Sequence, residues 1–365
     1  MGENRMGEEK RAEEILLQIK APLLSWYREN GRELPFRIGR NPYRIWISEI
    51  MLQQTRIEAV KPYFERFMAE LPDIISLAQV SEERLMKLWE GLGYYSRARN
   101  LKKAADILAE QYGGRMPADY EALKKLPGIG PYTAGAIASI AFSIPVPAVD
   151  GNVLRVLTRL LRDDRDIMKM STRRSVELLL RDTMSKEYPG EYNEAVMEIG
   201  ETVCLPLGTP LCGACPLAGF CLAHEAGKEE DFPVRAARKE RRREERTVFL
   251  LKYRDKLVLD KRREEGLLAG LYELPGIEGH LTEEESRAYL QKRFEVAAGE
   301  DLCLNRLKES KHIFSHVEWH MIGYSAILPE AAKEPPILAG KEELEEAYPL
   351  PNAFRAYMKE WNEGI

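Results

Sequence analysis

The sequence lacks the features of a membrane or secreted protein. No apolar run reaches the roughly 18–20 residues that a membrane-spanning helix needs, and the Glu- and Lys-rich N-terminus has no apolar core region like that of a secretory signal. Alternation of apolar and polar residues is almost missing from the first two-thirds of the chain, which disfavours β-structure there. We therefore expect a globular, cytoplasmic protein that does not bind membranes. Its 365 residues suffice for two or three domains.

The sequence also lacks an excess of positive charge, and it contains little cysteine. The formal net charge of -5 argues weakly against a nucleic-acid partner, although the position of the charges matters more than their sum. Four of the five cysteines fall between Cys204 and Cys221, and the fifth is Cys303. Without a secretion signal, such a cluster indicates metal binding rather than disulfides.

The cysteine cluster has the spacing C-x7-C-x2-C-x5-C, formed by Cys204, Cys212, Cys215 and Cys221. The intervening segments contain Pro and Gly, so the chain can turn around a small group and direct four thiolates at it. Tetrahedral zinc and a [4Fe-4S] cluster both suit four thiolates. Zinc ribbons usually present two C-x2-C pairs. Only one is found here, which favours the [4Fe-4S] cluster, and four unrelated buried cysteines are disfavoured at this density.

Composition divides the chain into three regions. Residues 1–224 show apolar positions at helical spacing, separated by Pro and Gly, which predicts an all-α region. Residues 225–246 are almost all charged, which indicates a solvated linker, although its Arg run leaves contact with a phosphate backbone open. Residues 247–365 carry strand-like segments and one helix with Thr282 and Glu285 placed for a capping box, which predicts a separate α+β domain. The predicted helices cover about 12–30, 45–70, 81–90, 95–112, 119–125, 131–142, 152–162 and 171–186.

Residues 126–135, LPGIGPYTAG, have the pattern of a helix–hairpin–helix. We expect the preceding helix to end at Pro127, Gly128 and Gly130 to permit a tight turn, and the next helix to begin near Pro131. Backbone amides at a helix N-terminus suit a DNA phosphate. A G-x-G turn alone is weak evidence, because many such turns are only structural.

Two carboxylates are candidates for catalysis. Glu49 lies within the apolar run RIWISEIMLQQT, where a buried carboxylate is costly unless it is paired or kept protonated by a raised pKa. A protonated carboxyl near neutral pH is a general acid, whereas the alternative is a Glu on the solvent side of an amphipathic helix. Asp150 precedes a helix that carries Arg155 and Arg159, and an N-cap is its structural interpretation, compatible with a function.

Taken together, these motifs resemble the endonuclease III superfamily of DNA glycosylases. Within that superfamily the chain is similar to the adenine DNA glycosylases of the MutY type through SEIMLQQT, WEGLGYYSRARNL, LPGIGPYTAGA, AVDGNVLRVL and YNEAVMEIG, over about residues 20–224. The resemblance implies a helix–hairpin–helix glycosylase domain with a [4Fe-4S] cluster held by the four cysteines. It implies a monomeric bacterial enzyme, associated with the nucleoid, whose partner is duplex DNA with adenine opposite 8-oxoguanine or guanine.

The resemblance also implies roles for individual residues. Glu49 would protonate a ring nitrogen of the flipped adenine, and Asp150 would stabilise the sugar cation. Gln54 and Tyr94 would enter the duplex, although Tyr94 as ordinary core is an equal alternative. The other implied contacts are Tyr132 and Asn152 to the sugar and Asp150, Arg32 and Glu194 to the base or the general acid, and Gly128 and Gly130 to DNA.

Residues 247–365 resemble the Nudix-like domain with which adenine glycosylases recognise 8-oxoguanine. The matching segments are GLLAGLYELPGIE and HIFSHVEWH. The resemblance implies that Phe314, Ser315 and His316 read the oxidised base, with Ser315 as the specific hydrogen-bonding group. A working Nudix hydrolase is the alternative, but the helix TEEESRAYLQKRFEV lacks the R-E-x-x-E-E arrangement that holds metal.

Tyr132 occupies the position where bifunctional relatives carry the lysine that forms a Schiff base, which predicts a monofunctional glycosylase. A bifunctional lyase and a catalytically silent DNA-binding or redox-sensing protein are the alternatives. Three features depart from the family pattern: the first cysteine spacing is seven residues rather than six, the loop LPLGTPL has no basic residue, and Phe36 replaces the commoner Trp.

Overall fold

The computed structural model describes residues 2–236, 240–297 and 300–364. The chain forms two compact units, one of residues 1–79 and 99–237 and one of residues 80–98 and 238–365. In its described part, no helix is both long and apolar enough to cross a membrane. The predicted order, a helical region followed by an α+β region, is confirmed.

The first two-thirds of the chain is helical. Its helices are α1 (Gly2–Gln18), α2 (Lys20–Asn30), α3 (Pro42–Leu52), α4 (Ile57–Glu70), α5 (Ile74–Gln79), α6 (Glu82–Leu88), α7 (Ser96–Tyr112), α8 (Tyr120–Lys124), α9 (Pro131–Phe142), α10 (Gly151–Leu161), α11 (Met170–Thr183), α12 (Pro189–Thr202) and α13 (Leu222–Glu225). Of these, α6 belongs to the second unit.

The helix expected over residues 45–70 is two helices, α3 and α4. Asn41 begins α3 because its side chain accepts the backbone N–H groups of Tyr43 and Arg44, with Pro42 at the first helical position. The break between the helices contains Gln54, whose φ of 61° is left-handed and cannot continue a right-handed helix. The apolar periodicity continues through the break, which is why it does not show in the sequence pattern.

The sequence pattern does not predict α12. This helix packs against α2, α9 and α10, and three of its buried side chains are polar: Asn193, Glu194 and Glu198. A buried polar face hides the apolar stripe by which an amphipathic helix is recognised. Of these three residues, Glu194 lines the candidate site, and Glu198 pairs with Arg37, which also lines it.

The second unit is built on a mixed β-sheet. Its order is β6-β7-β1-β2-β8, with β5 also paired to β1. The two longest strands, β1 and β7, run parallel along eleven paired positions from Arg242↔Val317 to Lys252↔Ile327. The strands are β1 (Arg242–Tyr253), β2 (Lys256–Val258), β3 (Asp260–Lys261), β4 (Tyr272–Glu273), β5 (Gly276–Glu278), β6 (Asn305–Ile313), β7 (Val317–Ile327) and β8 (Leu338–Ala339), and the helices are α14 (Glu283–Arg293), α15 (Lys341–Glu346) and α16 (Arg355–Gly364).

Successive residues of β1 enter two apolar cores, one on each face of the sheet. Phe249 joins the core that contains Leu290 of α14, and Leu250 joins the core that contains Tyr357 of α16. The predicted capping box of α14, between Thr282 and Glu285, is confirmed. β1 begins at Arg242, inside the segment expected to be a linker, because pairing with β7 extends the strand into charged sequence.

Candidate active site

Helices α3, α9, α10 and α12 contribute side chains to one cavity of about 700 Å³ in the first unit. This volume is in the range of pockets that hold a small ligand. The cavity collects residues that are far apart in the sequence. Among its lining residues are Glu49, Gln54, Tyr132, Asp150, Asn152 and Glu194.

Glu49 lies on the inner face of α3, with only 9% of its surface exposed. Burial raises the pKa of this carboxyl from 4.5 to about 7, while the hydrogen bond from Tyr132 lowers it and the charge of Asp150 raises it. The Tyr132 hydroxyl donates to Glu49 Oε2 at 2.5 Å. The solvent-facing position considered for Glu49 is wrong, and the carboxyl holds its proton up to a pH of about 7.

Tyr132 is fixed at the second position of α9, after Pro131 begins that helix. Burial raises the pKa of its phenol well above 10, so the hydroxyl keeps its proton. That hydroxyl also lies 3.8 Å from Met197 Sδ of α12. Tyr132 is therefore a hydrogen-bond donor to Glu49 at neutral pH.

Replacing Tyr132 by phenylalanine should shift the pH profile of catalysis. The bond from Tyr132 lowers the Glu49 pKa, so its removal raises that pKa above about 7 and keeps Glu49 protonated to higher pH. If Glu49 is the general acid, the single-turnover rate falls once the pH exceeds its pKa. Measured across pH 5–9, this fall should occur at higher pH in Tyr132→Phe than in the wild type, and the maximal rate should be lower. Tyr120→Phe is the control, because it removes a phenol that is bonded to Glu177 and does not line the cavity. An unchanged alkaline limb in Tyr132→Phe would contradict the assignment of that limb to Glu49.

Asp150 is the N-cap of α10, as expected, and it also lines the cavity. Its Oδ1 accepts the Val153 N–H at 2.7 Å, and its Oδ2 accepts the Asn152 side-chain N–H at 2.9 Å. Burial raises its pKa, whereas the Val153 N–H and the charge of Arg155 lower it. Hydrogen bonds to both oxygens favour the ionised form.

One face of α10 connects Asp150 to the cysteine cluster. Arg155 donates to Asn152 Oδ1 at 2.9 Å and to the Cys204 carbonyl at 2.8 Å. One turn further along the helix, Arg159 donates to Cys204 Sγ at 3.2 Å. The helix thus joins the carboxylate site to the first cysteine through two buried arginines.

The four predicted metal ligands surround one cavity, together with His224 and Glu229. Cys204, Cys212, Cys215 and Cys221 are free, half-buried thiols. Burial and the neighbouring thiols raise the pKa of Cys215 to about 11, and Cys212, which also lies beside Glu229, reaches a similar value. Four thiolates at close quarters repel one another unless a cation is bound. The donor set therefore fits a metal group held by four thiolates. Ligand atoms of Cys212, His224 and Glu229 also lie within 4.8 Å of one another.

Arg37 is a cavity residue that the sequence analysis did not single out. Its side chain lies 3.4 Å from Glu194 and 2.9 Å from Glu198, and its charge also lowers the pKa of Glu49. Arg32, which was expected to contact the base or the general acid, binds Glu198 and does not line the cavity that contains Glu49. Only four residues separate the two arginines. Which of them lines the cavity depends on the turn at Pro35 and Phe36, and the spacing of residues in the sequence does not reveal this turn.

The predicted DNA-contacting turns have unusual backbone conformations. Gly128 has a φ of 77°, and a Cβ there would lie 2.8 Å from Asn100 Cβ, so this position requires glycine. Gly130 has an extended backbone and caps α9, and its left-handed freedom is not used. Tyr94 has a φ of 48° and is 46% exposed. The core alternative for Tyr94 is therefore wrong.

Comparison with known proteins identifies the family. Residues 47–182 match the HhH-GPD superfamily of base excision DNA repair proteins, and residues 247–360 match the NUDIX domain. The chain is 34% identical to the adenine DNA glycosylase of Mus musculus over 367 aligned residues, covering 86% of this chain and 71% of that protein. It is 33% identical to the adenine DNA glycosylase of Buchnera aphidicola subsp. Acyrthosiphon pisum, covering 82% and 83%. The chain belongs to the adenine DNA glycosylase family.

Structural comparison supports a DNA-glycosylase fold for the helical part of the chain. A thermostable thymine-DNA glycosylase is 25% identical, with a TM-score of 0.53, over 58% of this chain and 98% of that one. The activity of the family is hydrolysis of the N-glycosidic bond of adenine. The cavity with two carboxylates therefore lies in the part of the chain where a glycosylase activity is expected.

In the Nudix-like part of the glycosylase, Phe314, Ser315 and His316 form the short connection between β6 and β7. The Phe314 N–H donates to the Val317 carbonyl at 2.8 Å, and the Phe314 ring packs 4.9 Å from that of Trp319. Ser315 and His316 are exposed, and Ser315 Oγ lies 3.2 Å from His316 Nδ1. The connection is anchored by Phe314 and presents two polar side chains to solvent.

Proposed function

We propose that this enzyme removes adenine paired with 8-oxoguanine, or with guanine, from duplex DNA. The observation that carries the proposal is a buried carboxyl of raised pKa, Glu49, in the same cavity as Asp150. An acid-assisted glycosidic cleavage needs one carboxyl group that donates a proton and a second that stabilises positive charge on the sugar. The cavity is also large enough for an extruded base, and extrusion is required because the bond is not accessible inside the stack.

The proposed reaction breaks the bond between the sugar C1′ and adenine N9. Glu49 transfers its proton to a ring nitrogen of adenine, which leaves as the neutral base and takes the bonding electron pair. Asp150 stabilises the positive charge that develops on the sugar, and Asn152, bonded to Asp150 Oδ2, orients this carboxylate. Water then adds to C1′, and its released proton restores Glu49. Glu194 and Arg37 also line the cavity, and their polar groups suit contacts to the base.

We further propose that the enzyme is monofunctional. Imine formation needs a primary amine at the position of Tyr132, and a phenol cannot supply it. Borohydride reduction during turnover should therefore trap no covalent protein–DNA adduct, whereas a bifunctional relative under the same conditions would be trapped. A trapped adduct would overturn this part of the proposal without affecting adenine release.

The cysteines are proposed to hold a [4Fe-4S] cluster. The support is the convergence of four free thiols in one cavity and the single C-x2-C pair. Such a group would cross-link the loop of residues 204–221 to itself, and Arg159 of α10, which donates to Cys204 Sγ, would lie beside it. Arg159 and the thiols would hold it in place, and none of the catalytic steps above depends on it.

The test of the substrate is single-turnover adenine release from duplexes with adenine opposite 8-oxoguanine, guanine or thymine. We expect fast release opposite 8-oxoguanine, slower release opposite guanine and none opposite thymine. Ser315→Ala should reduce the preference for 8-oxoguanine over guanine about 5- to 10-fold, because one specific hydrogen bond is lost. Ser310→Ala on the neighbouring strand is the matched control. Equal rates on all three duplexes would reject the proposed substrate.

A further inference from the structure

The segment that carries Tyr94 is packed as part of the second unit. Residues 80–98, which include α6 and the loop after it, cluster with residues 238–365 although they lie far away in the sequence. Leu85, Met86 and Leu88 of α6 are buried. Tyr94, which is expected to enter the duplex, thus belongs to the same compact unit as Phe314, Ser315 and His316.

Three polar contacts join this segment to the C-terminal residues of the unit. Lys87 Nζ donates to the Leu344 carbonyl at 2.5 Å. The Leu350 N–H donates to Glu90 Oε1 at 2.7 Å, and Asn352 Nδ2 donates to the Gly91 carbonyl at 2.9 Å. All three bonds have a backbone group on one side, so they set the position of the chain itself.

The loop between Gly91 and Tyr94 needs such support because of its backbone conformation. Gly91, Gly93 and Tyr94 have φ values of 96°, 69° and 48°, and the left-handed region is unfavourable for tyrosine. The Trp89 indole N–H and an Arg97 N–H both donate to the Gly93 carbonyl at 3.1 Å. A left-handed residue persists only where its surroundings determine it.

We propose that the Nudix-like unit positions Tyr94 for insertion into DNA, with Glu90 and Asn352 as the positioning residues. The inference rests on the proposed function together with the expectation, implied by the family resemblance, that Tyr94 enters the duplex. The same compact unit then recognises the base opposite adenine and inserts Tyr94 into the duplex. The correct opposite base, bound at Ser315, brings an already oriented Tyr94 to the duplex, so that little ordering cost remains at that step.

The experiment is a double-mutant cycle in the 365-residue chain, with Tyr94→Ala, Asn352→Ala and the double variant, and with Glu90→Ala measured beside them. Insertion is measured as fluorescence of 2-aminopurine placed beside 8-oxoguanine, in a duplex whose adenosine carries a 2′-fluorine and is not cleaved. Single-turnover adenine release is measured in parallel on the ordinary duplex. Asn362→Ala, an exposed asparagine on α16 of the same unit, is the matched control.

We expect Tyr94→Ala to lower the increase in 2-aminopurine fluorescence on protein binding. It should also slow adenine release about tenfold, since stacking on a base is lost. Asn352→Ala should cause the same kind of loss, about three- to fivefold, and Glu90→Ala should add to it. The effect of Asn352→Ala should disappear in the Tyr94→Ala background, because Asn352 acts through Tyr94. Asn362→Ala should leave both measurements unchanged.

Two other outcomes are distinguishable. If Tyr94→Ala changes neither insertion nor release, the proposed role of Tyr94 fails, and the positioning inference fails with it. If Tyr94→Ala has its effect but Asn352→Ala and Glu90→Ala do not, or if their losses are independent of Tyr94, only the positioning inference is overturned. Melting temperatures of all variants separate a general loss of stability from the specific effect.

Discussion

Replacing Glu49 by glutamine should reduce adenine release about 10²- to 10⁴-fold, the range that general acid catalysis contributes. Glutamine has nearly the same shape, and its carbonyl can still accept the Tyr132 hydroxyl that binds Glu49 Oε2. It has no proton to transfer at neutral pH. The measurement is the single-turnover rate on a duplex with adenine opposite 8-oxoguanine.

The pH dependence provides a second measurement of the same group. Burial holds the pKa of Glu49 at about 7, so the acid is protonated below this pH and loses its proton above it. The wild-type rate should therefore fall as pH rises through about 7, and the residual rate of Glu49→Gln should lack this fall. DNA binding by the variant should persist, because the change leaves the cavity filled. A Glu49→Gln variant with near wild-type rates at pH 6 would reject Glu49 as the acid.

Replacing Asp150 by asparagine should reduce adenine release about 10²- to 10³-fold, as expected for the loss of one electrostatic stabiliser of the transition state. The variant separates the two functions of this residue. Asparagine is as good an N-cap as aspartate, so it can still accept the Val153 N–H that begins α10. The negative charge that we propose to stabilise the sugar cation is lost, whereas the helix cap is kept.

The controls for Asp150→Asn test that separation. Asp119 is the N-cap of α8 by the same type of bond, to the Ala122 N–H, and Asp119→Asn should change neither stability nor rate. Asp150→Ala should lose the rate and also about 1 kcal/mol of stability through the missing cap. A large fall in the melting temperature of Asp150→Asn, with a matching loss of activity, would indicate a structural role alone.

Glu49 and Asp150 show which structural features can be predicted from local sequence and which cannot. The placement of Glu49 among apolar residues indicated burial against the alternative of a solvent-facing side chain, and the position of Asp150 before a helix offered an N-cap as its structural interpretation. The structure shows the burial and the cap. Each is a consequence of residues within one helical turn. The contact of Glu49 with Tyr132 is different, because 83 positions separate the two residues. It exists because α3 packs against α9.

Arg37 and α12 show where local reasoning fails. Whether Arg32 or Arg37 enters the cavity depends on the direction of the chain between α2 and α3 and on Glu194 and Glu198 of α12. α12 was itself obscured, because its buried face carries those same acids. A functional helix departs from the amphipathic pattern where its buried polar groups serve chemistry rather than packing.

By itself the sequence determined the features that depend on neighbouring residues. These are the helical and α+β regions, the cysteine spacing, the cap at Asp150 and the turn that requires Gly128. These depend on residues that are close neighbours along the chain, so spacing and residue type suffice. Only the tertiary structure decided that Arg37 lines the cavity and that the Tyr94 segment packs with the C-terminal residues. Those outcomes depend on contacts between distant segments, whose geometry is selected by the packing of the whole core.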